Sequence, residues 1–214
     1  MKTDSTPLQL SMAKMLLRTR AFHLQINDPF RFANGWKAPF YLDDRKLLSY
    51  THSRNIIKLE MARLVAENFP DADVIAGIAN NAIAHGTMIA DALSMPFVYV
   101  YHEPKTYGLE NQIEGDLRPR QKVVLVENQV LTGYDAERAI EVVRANGSGV
   151  MGLITLYDYQ LAPAAKRLRK ADVPVLALTN HNAIIEAGQQ LGLMSDEEIE
   201  IIRKWHTAPS KWNK

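Results

Sequence analysis

The chain has 214 residues, a length typical of one domain. Apolar residues make up 47% and charged residues 23% of the sequence, which excludes the disordered and fibrous classes. The net charge of +1 is too small to favour a nucleic-acid or membrane partner. Because there is no cysteine, disulfides, thiolate catalysis and cysteine-ligated metals are excluded. With no signal peptide or membrane span in the sequence, we expect a soluble, cytoplasmic protein.

The first fifty residues predict a helix followed by short strands. Thr6 and Pro7 are typical of a helix start, with threonine as the N-cap and proline in the first turn. Residues 30–44 are aromatic and are interrupted by Asn34-Gly35 and Pro39, which predicts a hairpin or two short strands. Apolar periodicity then predicts a long helix from about residue 50 to residue 68.

Beyond this helix, apolar runs alternate with helical patterns. The runs predict strands at 74–79, 97–101, 123–127, 150–157 and 174–178. The helical patterns cover 82–93 and 136–145, a segment around Lys166, and two C-terminal segments separated near Gly192-Leu193. Continuous apolar strands alternating with helices predict an α/β fold with a parallel sheet covered on both faces.

Several common functional motifs are missing. Neither glycine-rich phosphate-loop pattern occurs, and the six histidines are scattered, so no metal site made of protein side chains is predicted. The basic run at 166–170 is typical of a solvated helix face, with a small basic patch as the alternative. Residues 102–120 lack periodicity, and a loop of that length in a compact domain is usually functional or mobile.

The segment VVLVENQVLTGYDA at 123–136 carries the clearest chemical signal. A hydrophobic strand is predicted to end in an acid, followed by Thr132-Gly133 and at once by a helix. Backbone N–H groups of such a turn and of the helix N-terminus point at one spot, which favours an anion. An ordinary strand-to-helix turn is the alternative interpretation.

Ordered segments along the chain resemble the orotate phosphoribosyltransferases of the type I phosphoribosyltransferase family. The resemblance includes PFRFANGWKAPFYLDDR at 29–45, the strand and helix at 73–93, the loop FVYVYHEPKTYGLENQIEGDL at 97–117, and the acidic strand and turn at 123–136. It continues through TLYDYQL at 155–161 and ALTNHNAIIEAG at 177–188. The resemblance therefore runs nearly from end to end.

The resemblance implies a single phosphoribosyltransferase domain and its reaction. The fold would have a small N-terminal hood at about 1–45, a core at about 50–214 and a mobile catalytic loop near 101–117. The enzyme would join orotate to the ribose carbon of phosphoribosyl diphosphate (PRPP), releasing pyrophosphate, in pyrimidine nucleotide synthesis. Mg²⁺ would be carried by PRPP. A homodimer is implied, with the loop of each subunit near its partner's site.

The resemblance also assigns roles to individual residues. Lys105, in the loop, would reach the pyrophosphate, and Glu127 would be the first acid of the pair that holds the ribose hydroxyls. Thr132-Gly133 would form the turn for the 5′-phosphate. Lys37 would contact substrate and pyrophosphate, and the aromatic pair beside the base would be Phe40-Tyr41.

This sequence departs from the family pattern at several of these positions. Tyr101 stands in place of an arginine and Tyr107 in place of the loop histidine, while His102 could serve as a loop cation. Asn128 replaces the second acid of the ribose pair. Asn80-Asn81 stand where the family has a turn of small residues of the Thr-Gly type.

In the phosphate turn, Tyr134 and Asp135 replace the usual glycine and serine. The carboxylate of Asp135 repels phosphate. Because a helix N-terminus has partial positive charge and free N–H donors, we expect Asp135 to cap it, folding back onto the turn at Gly133 and Tyr134 in the place of a ligand phosphate. The alternative is a helix cap that points aside.

These departures leave two functions open. One is an orotate phosphoribosyltransferase or near relative. The other is a catalytically impaired paralogue that binds a nucleotide or a partner subunit in a regulatory role. RNA binding is a third, weaker interpretation, which the net charge argues against.

Overall fold

The structure is a computed structural model that describes residues 5–104 and 111–212. It divides into two compact units, one made of residues 1–54 and 179–214 and the other of residues 55–178. The predicted division into a hood and a core remains a prediction. Within the described residues, no helix combines the length and apolarity needed to cross a membrane.

The helices and strands alternate along much of the chain. The helices are α1 (Pro7–Arg18), α2 (Thr51–Asn68), α3 (Ile83–Leu93), α4 (Tyr134–Ala145), α5 (Ala162–Lys170), α6 (His181–Gln190) and α7 (Asp196–Thr207). The strands are β1 (Phe22–Leu24), β2 (Phe30–Arg31), β3 (Lys37–Ala38), β4 (Phe40–Leu42), β5 (Val74–Ile78), β6 (Phe97–Val100), β7 (Ile113–Glu114), β8 (Lys122–Val130), β9 (Gly149–Asp158) and β10 (Val175–Asn180).

In the second unit, the central sheet has the order β10-β9-β8-β5-β6-β7. The pairs β5–β6, β5–β8 and β8–β9 are parallel, which confirms the predicted parallel sheet. Side chains such as Val98, Leu125 and Ile140 form a buried core against the sheet. The edge strand β7 was not predicted; it pairs antiparallel with β6 through Val100 and Ile113.

Two predicted boundaries within residues 123–136 are wrong. Strand β8 does not end at Glu127 but continues to Val130, because Gln129 and Val130 remain paired with β9. Helix α4 begins at Tyr134 rather than at residue 136, because Glu137 already donates its N–H to the Gly133 carbonyl at 3.0 Å. Both differences bring the strand and the helix closer together in sequence.

The first unit combines the N-terminal segment with the two last helices. Helix α1 starts with the predicted Thr6 cap, and its Gln9 side chain completes a capping box. The predicted short strands at 30–44 are confirmed as the β2–β3 hairpin and β4, which pairs with β1. At the centre of this unit, Trp205 packs edge-on against Phe40 at 4.8 Å, and its indole N–H donates to the Lys37 carbonyl at 2.8 Å.

Candidate active site

Two helix-start turns lie at the same edge of the central sheet. The first, at residues 79–82, connects β5 to α3, and the second, at residues 131–133, connects β8 to α4. Because β5 and β8 are parallel neighbours, with Gly77 opposite Val126, their carboxyl ends meet at one edge. The first N–H groups of a helix have no acceptor within the helix and attract anions. This edge therefore has the backbone donors for two anionic groups.

The second turn depends on Gly133. This residue has φ +70°, and a Cβ placed on it would lie 3.1 Å from the backbone Cα of Ala164 in α5. Its neighbour Tyr134 donates its N–H toward the Thr132 hydroxyl at 3.4 Å. The predicted Thr132-Gly133 turn is thus held tightly between β8 and α5, with the threonine hydroxyl directed at the backbone of the helix start.

Glu127 is the buried acid of this edge. Its side chain is 8% exposed, and Oε2 has no hydrogen-bond partner among the residues that the structure describes. Burial, followed by the charges of Asp135 and Asp158, raises the pKa of the Glu127 carboxyl well above its usual range. A buried polar atom without a partner is costly, so a ligand hydroxyl that hydrogen-bonds here would be stabilised.

Asn128 follows Glu127 on β8 and contacts the turn at residues 79–82, which precedes α3. Its side chain is 2% exposed, and Nδ2 donates to the Asn81 carbonyl at 3.0 Å. Asn128 therefore joins the end of β8 to the turn that precedes α3.

The prediction that Asp135 folds back onto the turn is wrong. Asp135 is exposed, and within the described part of the chain its carboxylate accepts no hydrogen bond from the turn backbone. The reason is the early start of α4, which places Gly133 at the N-cap and Asp135 inside the first turn. From there its charge acts on the helix dipole and on Glu127 rather than as a cap.

Arg167 flanks the same helix start and was missed by the sequence analysis. Its guanidinium lies 5.8 Å from the centre of the exposed Tyr134 ring and forms an ion pair with Glu137. From the sequence, the basic run at 166–170 is typical of a solvated helix face. No local signal in the sequence singles out Arg167, because its placement depends on the packing of α5 beside α4.

Two predicted loop residues lie at the end of β6. The N–H of Tyr101 donates to the Gln112 carbonyl at 2.9 Å, and the Gln112 side chain donates to the His102 carbonyl at 3.1 Å. The Tyr101 ring packs edge-on against Tyr99 at 5.7 Å. Lys105 and Tyr107 lie outside the described residues, as does part of the predicted mobile loop.

The remaining predicted residues belong to the first unit. Phe40 is fully buried and stacks on Phe22 at 5.2 Å. Tyr41 is half-buried, with its ring 5.6 Å from that of Phe30, and Lys37 is half-buried on β3.

In the second unit, the structure brings together along one sheet edge the predicted residues Glu127, Asn128, Thr132, Gly133, Tyr134 and Asp135.

Comparison with known proteins agrees with this architecture, although no family model matches the chain. The structure of Leishmania donovani UMP synthase superposes with a TM-score of 0.79 at 22% identity, over 93% of this chain and 42% of that one. Orotate phosphoribosyltransferase from Aeropyrum pernix superposes with a TM-score of 0.70 at 25% identity, over 85% and 99%. These neighbours confirm the predicted type I phosphoribosyltransferase fold.

Sequence similarity assigns the family. Orotate phosphoribosyltransferase from Porphyromonas gingivalis is 43% identical over 201 residues, which are 94% of this chain and 96% of that protein. The chain belongs to the orotate phosphoribosyltransferase family.

Proposed function

We propose that this protein transfers the phosphoribosyl group of PRPP to orotate, forming orotidine 5′-phosphate and pyrophosphate. The observation that carries the proposal is the buried Glu127 carboxyl, whose Oε2 has no hydrogen-bond partner in the described part of the chain, on the strand that leads into one of two adjacent helix-start turns. A ribose with phosphate groups at both ends needs such a set of donors and acceptors. Membership of the family supports the same conclusion.

In the proposed reaction, the bond from the ribose anomeric carbon to the pyrophosphate oxygen breaks, a bond from that carbon to an orotate ring nitrogen forms, and the proton of that nitrogen is released to solvent. Pyrophosphate leaves with the electron pair of the broken bond. The turn at 79–82 and the α3 N-terminus would bind this leaving group, and the turn at 131–133 would bind the 5′-phosphate. Fixed donors of this kind stabilise charge as it develops in the transition state.

Glu127 would hold the ribose. Burial raises the pKa of the Glu127 carboxyl, so the ionised form is disfavoured until a partner compensates its charge. The protonated form donates one hydrogen bond and accepts another, and the ionised form only accepts. Either form of the carboxyl can therefore bind a ribose hydroxyl and orient the anomeric carbon. Lys105, Lys37 and the aromatic residue Tyr41 keep the roles that the family resemblance implies, as proposals.

Mg²⁺ would arrive with PRPP as part of the substrate. Within the described residues, no group of three or more acidic or histidine side chains could hold a metal ion. Mg²⁺ is commonly bound through one or two carboxylates together with substrate phosphates. Glu127, with its unpaired oxygen, fits a site of that kind.

The departures from the family pattern bear on affinity rather than on fold. Asp135 adds a negative charge to the phosphate turn, whereas Arg167 places a positive charge beside Tyr134. The relatives with 34–43% identity are named as the enzyme, which favours catalysis over the regulatory alternative. We further propose that the protein is a cytoplasmic homodimer.

The direct test is the loss of orotate absorbance that depends on PRPP and Mg²⁺, with the Porphyromonas gingivalis relative as the positive control. Turnover by the purified protein is expected. Failure of this protein to consume orotate, under conditions in which the relative does so, would overturn the proposed reaction. Sedimentation at micromolar concentration tests the dimer, and a monomer alone would contradict it.

A further inference from the structure

The side chain of Asn128 is directed at a backbone carbonyl of the neighbouring turn. Nδ2 donates to Asn81 O at 3.0 Å across 47 residues of sequence, and the side chain is 2% exposed. Because a carbonyl only accepts hydrogen bonds, the atom that faces it must be the amide nitrogen. The contact therefore requires a donor at position 128.

An ionised acid at this position could not make the same contact. A carboxylate has no donor, so its oxygens would face the Asn81 carbonyl as acceptor against acceptor. Because the side chain at position 128 is buried, a carboxylate there would lose this partner and repel the carbonyl that the amide holds. The turn at 79–82 therefore depends on the amide of Asn128, which stands in place of the family's second acid.

The position of this turn decides where the α3 N-terminus points. Ala82 donates its N–H to the Ile78 carbonyl at 3.0 Å, and Gly86 donates to Ala82 at 2.8 Å, so the helix follows directly from the turn. No side chain caps the start of α3. Asn128 supplies the side-chain bond from β8 that holds the turn carbonyl just before this start.

We propose that Asn128 is a positioning residue for the pyrophosphate-binding turn, with its amide nitrogen holding the Asn81 carbonyl rather than a ribose hydroxyl. Glu127 remains the acid that holds the ribose hydroxyls. This inference rests on the proposed function, because it takes the turn at 79–82 as the pyrophosphate site. It explains why an amide, which has almost the same shape as the usual acid, stands at this position.

The test is Asn128→Asp, which restores the family's acid but removes the donor. Asn146→Asp is the matched control, since Asn146 Nδ2 also donates to a carbonyl, that of Leu117, at 3.0 Å, at the far end of α4. Calorimetry with two probes separates the sites: inorganic pyrophosphate with Mg²⁺, and ribose 5-phosphate.

We expect Asn128→Asp to weaken pyrophosphate binding about tenfold, the effect of one lost buried hydrogen bond. The affinity for ribose 5-phosphate should stay within about twofold, and Asn146→Asp should change neither affinity. In the assay, the KM for PRPP rises while the KM for orotate does not. Unchanged or tighter pyrophosphate binding in Asn128→Asp, or weaker ribose 5-phosphate binding, would overturn the inference.

A second variant covers the case in which Asn128→Asp does not fold. Asn128→Ala removes the donor without adding a charge, and it should also weaken pyrophosphate binding selectively. Absence of pyrophosphate binding by the unmodified protein would overturn the inference as well. Selective loss of pyrophosphate binding without orotate turnover would leave the inference standing and contradict only the proposed reaction.

Discussion

Replacement of Gly133 by alanine tests whether the phosphate turn needs a glycine. Gly133 has φ +70°, and an added Cβ would lie 3.1 Å from Ala164 Cα, a backbone atom that cannot move aside alone. Gly147 is the matched control at the other end of α4. It has φ +80°, but its Cβ would meet Pro119 only at ordinary van der Waals distances, 3.4 Å to the side chain and 3.8 Å to the backbone Cα.

The difference between the two sites sets the expected magnitudes. A left-handed backbone costs a residue with a side chain roughly 1–2 kcal/mol, so Gly147→Ala should lose about that much free energy of unfolding. The close contact with α5 adds about 1 kcal/mol for Gly133→Ala, the lower end of the range for overpacking. At about 2–4 °C per kcal/mol for a chain of this size, Gly133→Ala should melt a few degrees below Gly147→Ala.

Thermal melts and steady-state kinetics together check this reasoning. Because the turn would shift to relieve the contact, Gly133→Ala should raise the KM for PRPP about tenfold, whereas Gly147→Ala should leave it unchanged. The KM for orotate should stay constant in both variants. Equal melting temperatures with equal KM values for PRPP would refute the assignment of the turn at 131–133 as the phosphate site.

Three further predictions follow from burial. The raised pKa of Glu127 means that the folded state holds its proton more tightly than the unfolded chain, so stability falls as pH rises above the usual glutamate pKa. Glu127→Gln should therefore raise the urea midpoint at pH 8 while lowering kcat; a lower midpoint would contradict this. Gly152→Ala should destabilise by about 2–3 kcal/mol, because its Cβ would lie 2.1 Å from the Phe69 ring, whereas Gly149→Ala, with open space, should be neutral in the same melts. Burial lowers the pKa of His181 to about 3, so the unfolded chain binds the extra proton and stability falls by about 1 kcal/mol per pH unit from pH 6.5 toward pH 3. His181→Phe should flatten this slope in urea titrations between pH 4 and 6, and an unchanged slope would count against the burial of a neutral imidazole.

Apolar periodicity predicted the elements of the central sheet well, because strands covered on both faces must be apolar throughout. Strand β5 ends within one residue of its predicted end, and β9 extends one residue beyond the prediction at each end. Periodicity failed where polar residues continue a strand. Asn128 and Gln129 lie inside β8 because β9 pairs alongside it as far as Val130, and that pairing leaves no signal in the local sequence.

The candidate site likewise combines features that the local sequence predicts with features that depend on packing. Thr132-Gly133 could be predicted because a glycine between a strand and a helix is a local signal for a turn. Arg167 could not be singled out from the basic run, since only the packing of α5 beside α4 selects the residue that reaches Tyr134 and Glu137. The direction of Asp135 depended on where α4 begins, a boundary that the sequence placed two residues too late.

By itself, the sequence determined the fold class, the order of the helices and of the parallel strands, the location of the Thr132-Gly133 turn and the resemblance to the family. Each of these depends on residues that are close in sequence or on ordered motifs. Tertiary structure alone decided that Oε2 of Glu127 is buried without a hydrogen-bond partner among the described residues and that Asn128 holds the carbonyl of Asn81. Both depend on which strands become neighbours, and contacts between residues 47 positions apart are set by the packing of the whole sheet rather than by any local pattern.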